Sequence, residues 1–128
     1  MIKKIITILI ICIVLVSTYF IMSKPPKDQI DYDNTDLIFY WGEGCPHCEN
    51  VENWLKENNK DQKIKISSKE VYKNKENQDQ LFSIAQEYCP EIIENGNIGV
   101  PTGFDPKSNK CIQGDTPIID FLTDKLTN

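Results

Sequence analysis

An apolar run followed by a cysteine pair constrains the fold of this 128-residue chain more than any other feature. The run Leu37–Trp41 suits a central strand buried on both faces, and Cys45-Pro46-His47-Cys48 follows it where a helical pattern begins. Two residues between the cysteines, on the first turn of a helix, bring the sulfur atoms close enough to bond. The sequence therefore predicts an α/β protein with a redox-capable dithiol at a strand-to-helix junction.

Cys45, the outer cysteine of the pair, is the predicted nucleophile. Unpaired N–H groups and the positive end of the helix dipole can lower the pKa of a cysteine in that place to roughly 3.5 to 7.5. Cys48, one turn inward, is expected to stay protonated longer and to resolve mixed disulfides. Pro46 suits the first helical turn. His47, the only histidine, is expected to favour the Cys45 thiolate by a hydrogen bond or by charge, which predicts an oxidising couple.

Zinc sites, haem attachment and structural disulfides also use a Cys-x-x-Cys pair. A zinc ribbon needs a second close pair, which the remaining Cys12, Cys89 and Cys111 do not provide. Haem attachment needs a histidine after the second cysteine, where this chain has Glu49. We therefore assign no metal site and no cofactor. A module that binds copper or zinc through the pair and His47 stays open as an alternative function.

Residues 39–48, Phe-Tyr-Trp-Gly-Glu-Gly-Cys-Pro-His-Cys, resemble the strand, active-site loop and helix of the thioredoxin superfamily. The Pro-His dipeptide is similar to that of the periplasmic disulfide oxidases (DsbA-like). Further on, residues 99–102, Gly-Val-Pro-Thr, resemble the loop that carries the family's cis-proline. The resemblance implies that Val100 and Pro101 face the redox pair and bind the substrate chain by its backbone, with a cis bond between them.

The resemblance covers residues 36–126 and has one departure. The family places a buried acid six residues before the first cysteine, and this chain has Phe39 there. Proton transfer to and from Cys48 must then use water or another group. Glu43 is a candidate, although an exposed loop carboxylate is the more ordinary interpretation of that residue.

The rest of the pattern predicts the order β-α-β-α-β-β-α, with a four-stranded mixed sheet and flanking helices. This order resembles a minimal, glutaredoxin-sized thioredoxin-like fold. The expected elements after the first strand are a helix over 45–59, a strand over 63–66 continuing toward 71, a helix over 75–88, a hairpin of 102–105 with 110–113, and a last helix with Thr116 as cap and Pro117 at its first position.

The N-terminus predicts a membrane anchor. After Lys3 and Lys4 comes an uncharged stretch of 18 residues, 5–22, which as a helix spans about 27 Å, near the hydrocarbon thickness of a bilayer. A cleaved signal peptide is the alternative. We divide the chain into a transmembrane signal anchor (1–23), a polar linker (24–35) and a thioredoxin-like domain (36–128). The expected place of the domain is outside the cytoplasm, at the cell surface or in the periplasm.

Cys89 and Cys111 are the two further cysteines of the predicted domain. Spare thiols tend to pair in an oxidising compartment, so we expect a disulfide between them. A structural role is the first interpretation. A second redox pair that relays electrons to or from the active cysteines is the alternative.

The charge balance and the motif together define the expected activity. From Asp28 onward the chain has 19 acidic residues and 10 lysines, a net charge of −9, which argues against nucleic acid as a partner. We expect a membrane-anchored thiol-disulfide oxidoreductase that acts on cysteine-containing proteins and is recycled by a redox partner. A non-catalytic thioredoxin-fold subunit that docks a partner in the Pro101 groove is a further alternative.

Overall fold

The structure, a computed structural model, describes residues 1–22 and 31–127. Within these ranges the chain is a mixed α/β protein with a four-stranded sheet and four α-helices. The helices are α1 (Ile2–Met22), α2 (Pro46–Asn58), α3 (Lys75–Tyr88) and α4 (Asp115–Thr127), and the strands are β1 (Leu37–Trp41), β2 (Ile66–Glu70), β3 (Thr102–Asp105) and β4 (Lys110–Gln113). The predicted α/β order of residues 36–127 is confirmed.

The sheet has the strand order β2-β1-β3-β4. Strand β1 pairs with β2 in parallel and with β3 in antiparallel orientation, and β4 extends the sheet beyond β3 in antiparallel orientation. Because β1 lies inside the sheet with helices on both faces, its side chains are buried in alternation on the two sides. That burial explains the continuous apolar run in the sequence.

Each face of the sheet has its own apolar cluster. On one face, Leu37 and Phe39 of β1 pack with residues of α2 and α4, including Val51, Ile118 and Leu122. On the other face, side chains of β1 and β3 pack with α3; they are Ile38, Tyr40, Leu81, Ile84 and Phe104. Cys45 and Cys48 belong to the α2/α4 face.

Strand β2 begins later than predicted, at Ile66 instead of Lys63. Just before it, side chains bind the backbone of Ile64 and the N–H of Lys65, while the Lys65 carbonyl oxygen accepts from the N–H groups of Asp36 and Leu37. Asn59 accepts from the N–H of Ile64 at 3.0 Å and donates to its carbonyl oxygen at 2.8 Å, and Asp36 accepts from the Lys65 N–H at 2.9 Å. Ile64 is nevertheless buried. The alternating pattern therefore predicted a buried side chain correctly and placed the start of the strand too early.

Helix α4 begins at Asp115, so Thr116 and Pro117 lie inside its first turn and the predicted cap is wrong. Gly114, with φ of +96°, precedes the helix and supplies the backbone reversal that a residue with a Cβ rarely adopts. Pro117 is still compatible with this place, because the first N–H groups of a helix need no intrahelical partner.

The N-terminal segment forms helix α1, whose apolar side chains are largely exposed. Among the residues described, no helix is both long enough and apolar enough to cross a membrane. The predicted linker, 24–35, lies mostly outside the described residues. Its last part forms a short 3₁₀ turn, Tyr32–Asn34, which Asp31 caps by accepting from the Asn34 N–H. The predicted domain boundaries stay predictions.

Candidate active site

The junction between β1 and α2 places both cysteines of the motif at a helix N-terminus. Gly44 has φ of +75°, the left-handed conformation that favours glycine, and directs the chain into the helix. Cys45 is the N-cap residue, and Pro46 follows where no N–H partner is needed. Cys45 and Cys48 form a disulfide, with their Cα atoms 5.2 Å apart.

The sulfur atom of Cys45 accepts a hydrogen bond from the helix N-terminus. The backbone N–H of Cys48 donates to Cys45 Sγ at 3.2 Å. A donor in this place stabilises a thiolate once the disulfide opens. Cys45 is 8% exposed and Cys48 is 1% exposed. Both residues are buried, and Cys45 is the more exposed of the two.

The loop before β3 lies against Cys45. The Val100–Pro101 peptide bond is cis, as the resemblance to the thioredoxin superfamily implies, and the Val100 carbonyl oxygen lies 3.7 Å from Cys45 Sγ. The Thr102 hydroxyl donates to the Gly99 carbonyl oxygen at 2.6 Å, and the Gly114 N–H donates to the Pro101 carbonyl oxygen at 3.0 Å. These bonds hold the backbone of the loop beside Cys45 Sγ.

His47 contacts Asp115, a partner that sequence analysis did not predict. Its Nδ1 lies 3.0 Å from Oδ2 of Asp115 on α4, and its side chain is 72% exposed. The side-chain amide of Asn50 donates to the same oxygen at 2.6 Å. The hydrogen bond from Asn50, and then that from His47, lower the pKa of Asp115 to about 2. In this oxidised form the imidazole is held by α4 and not by Cys45.

The site has an apolar side chain where the thioredoxin superfamily has a buried acid. Phe39 is buried in the cluster that contains Cys48. The carboxylate of Glu43 forms an ion pair with Lys73 at the surface. Glu43 therefore has the exposed loop role, and its described partner is a lysine and not the resolving cysteine.

A carboxylate that sequence analysis missed organises the loop before Cys45. Glu70, at the end of β2, accepts hydrogen bonds from the N–H groups of Tyr72 and Lys73, both at 2.8 Å, and of Glu43 at 3.4 Å. Burial opposes ionisation, but these backbone donors outweigh it and lower the pKa of Glu70. The Tyr72 ring covers Gly42 and leaves no space for a Cβ there. Spacing along the chain gives no signal for these contacts.

The predicted second disulfide, Cys89–Cys111, is present and lies on the other face of the sheet. Cys111 packs against the α3-side cluster, while its neighbour Ile112 packs on the α2/α4 side. Cys89 is buried at the C-terminal end of α3. The sheet therefore lies between this pair and the pair formed by Cys45 and Cys48.

Within residues 1–22 and 31–127, no group of three or more histidine, cysteine or acidic side chains is arranged to hold a metal ion.

Comparisons with protein-family models, with curated proteins and with solved structures find no match to this chain. The fold and the site therefore define its class: a small α/β protein, compatible with a thioredoxin-like fold, that has a CXXC-type disulfide at a helix N-terminus. A cysteine pair in this place suggests a redox function.

Proposed function

We propose that the chain is a thiol-disulfide oxidoreductase that exchanges disulfides with the cysteines of other proteins. The observation that supports this most directly is the hydrogen bond from the Cys48 N–H to Cys45 Sγ, at 3.2 Å. It places Cys45, the more exposed residue of the pair, where a thiolate is stabilised. Cys48, the less exposed residue, lies beside it and can attack a mixed disulfide formed on Cys45.

The proposed reaction passes through a mixed disulfide on Cys45. In the oxidising direction, a substrate thiolate attacks Cys45 Sγ, the Cys45–Cys48 bond breaks, and Cys48 leaves as a thiolate that takes a proton from water. A second substrate thiolate attacks the substrate sulfur of the mixed disulfide and releases the Cys45 thiolate. The substrate loses two electrons and the pair gains them, and a redox partner must remove them for another turnover.

Val100 and Pro101 are the proposed substrate-binding residues. The Val100 carbonyl oxygen lies beside the reacting sulfur, and Val100 is half-buried while Gly99 before it is exposed. An extended substrate chain that hydrogen-bonds this backbone would place its own cysteine against Cys45. Recognition through the backbone accepts many side chains, so it suits an enzyme that acts on more than one protein.

Replacing each cysteine separately tests the mechanism. We expect Cys45→Ser to abolish oxidation of a fluorescent peptide with two thiols, because the attacked sulfur is gone. We expect Cys48→Ser, mixed with the disulfide form of the peptide, to accumulate the Cys45–peptide mixed disulfide, because the Cys45 thiolate opens the peptide disulfide and no Cys48 thiol is present to displace the peptide. Mass spectrometry shows this product as a peptide adduct that reductant removes. A Cys45→Ser variant that still oxidises the peptide, or a Cys48→Ser variant that forms no adduct, would contradict the mechanism. Full function in a Cys45→Ala, Cys48→Ala variant would favour a non-catalytic docking subunit instead.

We further propose that the domain acts outside the cytoplasm and is attached to a membrane through its N-terminus. The support is the sequence of Lys3 and Lys4 followed by the uncharged stretch 5–22, and the Cys89–Cys111 disulfide, which suits an oxidising compartment. We expect the full chain to stay in the membrane pellet after extraction at alkaline pH. Recovery of the intact chain in the supernatant would contradict the attachment.

A further inference from the structure

One carboxylate connects the active-site helix to α4. Asp115 Oδ2 lies 3.0 Å from His47 Nδ1 and 2.6 Å from Asn50 Nδ2. His47 and Asn50 lie three residues apart on α2 and so share one face of that helix. Asp115 is the first residue of α4. The same carboxylate oxygen therefore binds two side chains of the helix that carries the cysteine pair.

The carboxylate stays ionised over the pH range in which thiols are assayed. The pKa of Asp115 is about 2, because Asn50 and His47 both hydrogen-bond the charged form. Among the nearby charges, Glu43 is paired with Lys73 and Glu49 is exposed on α2. The described hydrogen-bond partner of the imidazole is Asp115. Asp115 is thus the charge that bears most directly on His47.

We propose that Asp115 is a positioning residue for the redox pair: it holds the His47 ring on α4 and offsets its charge, so that the Cys45–Cys48 couple is less oxidising than the Pro-His dipeptide alone would make it. An imidazole free to approach Cys45, or charged without a counter-ion, stabilises the thiolate and hence the reduced form. An imidazole ring that is bound to a carboxylate stabilises the thiolate less. This inference rests on the proposed function, because it concerns the potential of the same cysteine pair.

The size of the effect is limited because the side chains are partly exposed. Charges several ångströms apart near a protein surface shift a pKa by a few tenths of a unit to about one unit. We therefore expect removal of the Asp115 charge to change the equilibrium constant with glutathione about two- to tenfold, and tenfold corresponds to about 30 mV for this two-electron couple.

The test replaces Asp115 by Asn in the full chain and, in parallel, in a His47→Ala background. We expect Asp115→Asn to lower the pKa of Cys45, read from thiolate absorbance near 240 nm in a Cys12→Ser, Cys48→Ser background. In the full chain we expect it to shift the glutathione equilibrium about two- to tenfold toward the dithiol. In the His47→Ala background, we expect Asp115→Asn to shift the glutathione equilibrium at most half as far. Asp120→Asn is the matched control, since Asp120 is an exposed carboxylate on the same helix, and its shift should be smaller.

An unchanged potential in Asp115→Asn, or an equal shift with and without His47, would overturn the inference. Asp115→Ser, which also suits the start of a helix, replaces the Asn variant if that one loses helical content. The readouts are equilibria of the cysteine pair and need no turnover. If Cys45→Ser retained peptide oxidation, the proposed function would fail while a His47-dependent shift could still be measured, so the two failures are distinguishable.

Discussion

Cys45 combines two roles in one sulfur atom, because the side chain that caps helix α2 is also the proposed nucleophile. The cap bond from the Cys48 N–H remains available when the disulfide opens, and a charged acceptor makes it stronger. The oxidised form therefore already has the donor that the reduced form needs. Little rearrangement is required at this residue between the two redox states.

The lowered pKa of Asp115 leads to a prediction on the stability of the folded chain at low pH. Its pKa in the folded chain is about 2, below the ordinary value of 3.8, so its contribution to stability is fully present above about pH 4 and is lost as the pH falls toward 2. We expect the difference in melting temperature between the oxidised parent and Asp115→Asn to narrow over this range. Thermal unfolding followed by circular dichroism at pH 6, 4 and 2.5 measures it. A difference that stays constant would contradict the assignment.

At the scale of elements, side chains of β1 and α4 pack so closely on Gly103 of β3 that little space remains for a Cβ there. A Cβ on Gly103 would lie 2.9 Å from Leu37 Cδ1 and 3.5 Å from a side-chain atom of Ile118. Both neighbours are fully buried. The interface between the sheet and α4 therefore has no free volume at this point.

We expect Gly103→Ala to lower the free energy of unfolding by about 1–3 kcal/mol, the usual cost of overpacking a core. Denaturation by urea measures the change. Leu37→Val removes part of the obstructing side chain, so the cost of Gly103→Ala should be smaller in that background. An equal or larger cost there would show that the two side chains do not compete for the same space.

The elements that the sequence predicts well are those whose own residues determine them. The apolar run of β1, the helix that begins at the cysteine pair and the burial of Ile64 are all local patterns. The start of β2 depends instead on Asn59, whose side chain binds the backbone of Ile64. The contact of His47 with Asp115 joins residues 68 positions apart. No local pattern reports such a pairing.

At the scale of the whole molecule, the sheet separates two disulfides with different surroundings. The Cys45–Cys48 pair lies at a helix N-terminus on the α2/α4 face. The Cys89–Cys111 pair joins the end of α3 to β4 on the opposite face. This separation favours a structural role for the second pair over a relay role.

Removing the second disulfide tests that assignment. The bond closes a loop of 22 residues, so its loss should destabilise the chain by roughly 3 kcal/mol on the chain-entropy estimate. We expect a Cys89→Ala, Cys111→Ala variant to unfold at lower urea concentration and to oxidise the dithiol peptide at the parent's rate. Loss of peptide oxidation in a variant that remains folded would indicate a relay.

The pKa of Cys45 in the reduced chain tests the central claim most directly. The Cys48 N–H and the helix N-terminus should hold it below about 7.5, whereas free cysteine has a pKa near 8.5. The measurement is a titration of thiolate absorbance in a Cys12→Ser, Cys48→Ser variant, which leaves Cys45 as the one free thiol outside the second disulfide. A value well below that of free cysteine is the predicted result. A value at or above it would contradict the proposal that Cys45 is the nucleophile.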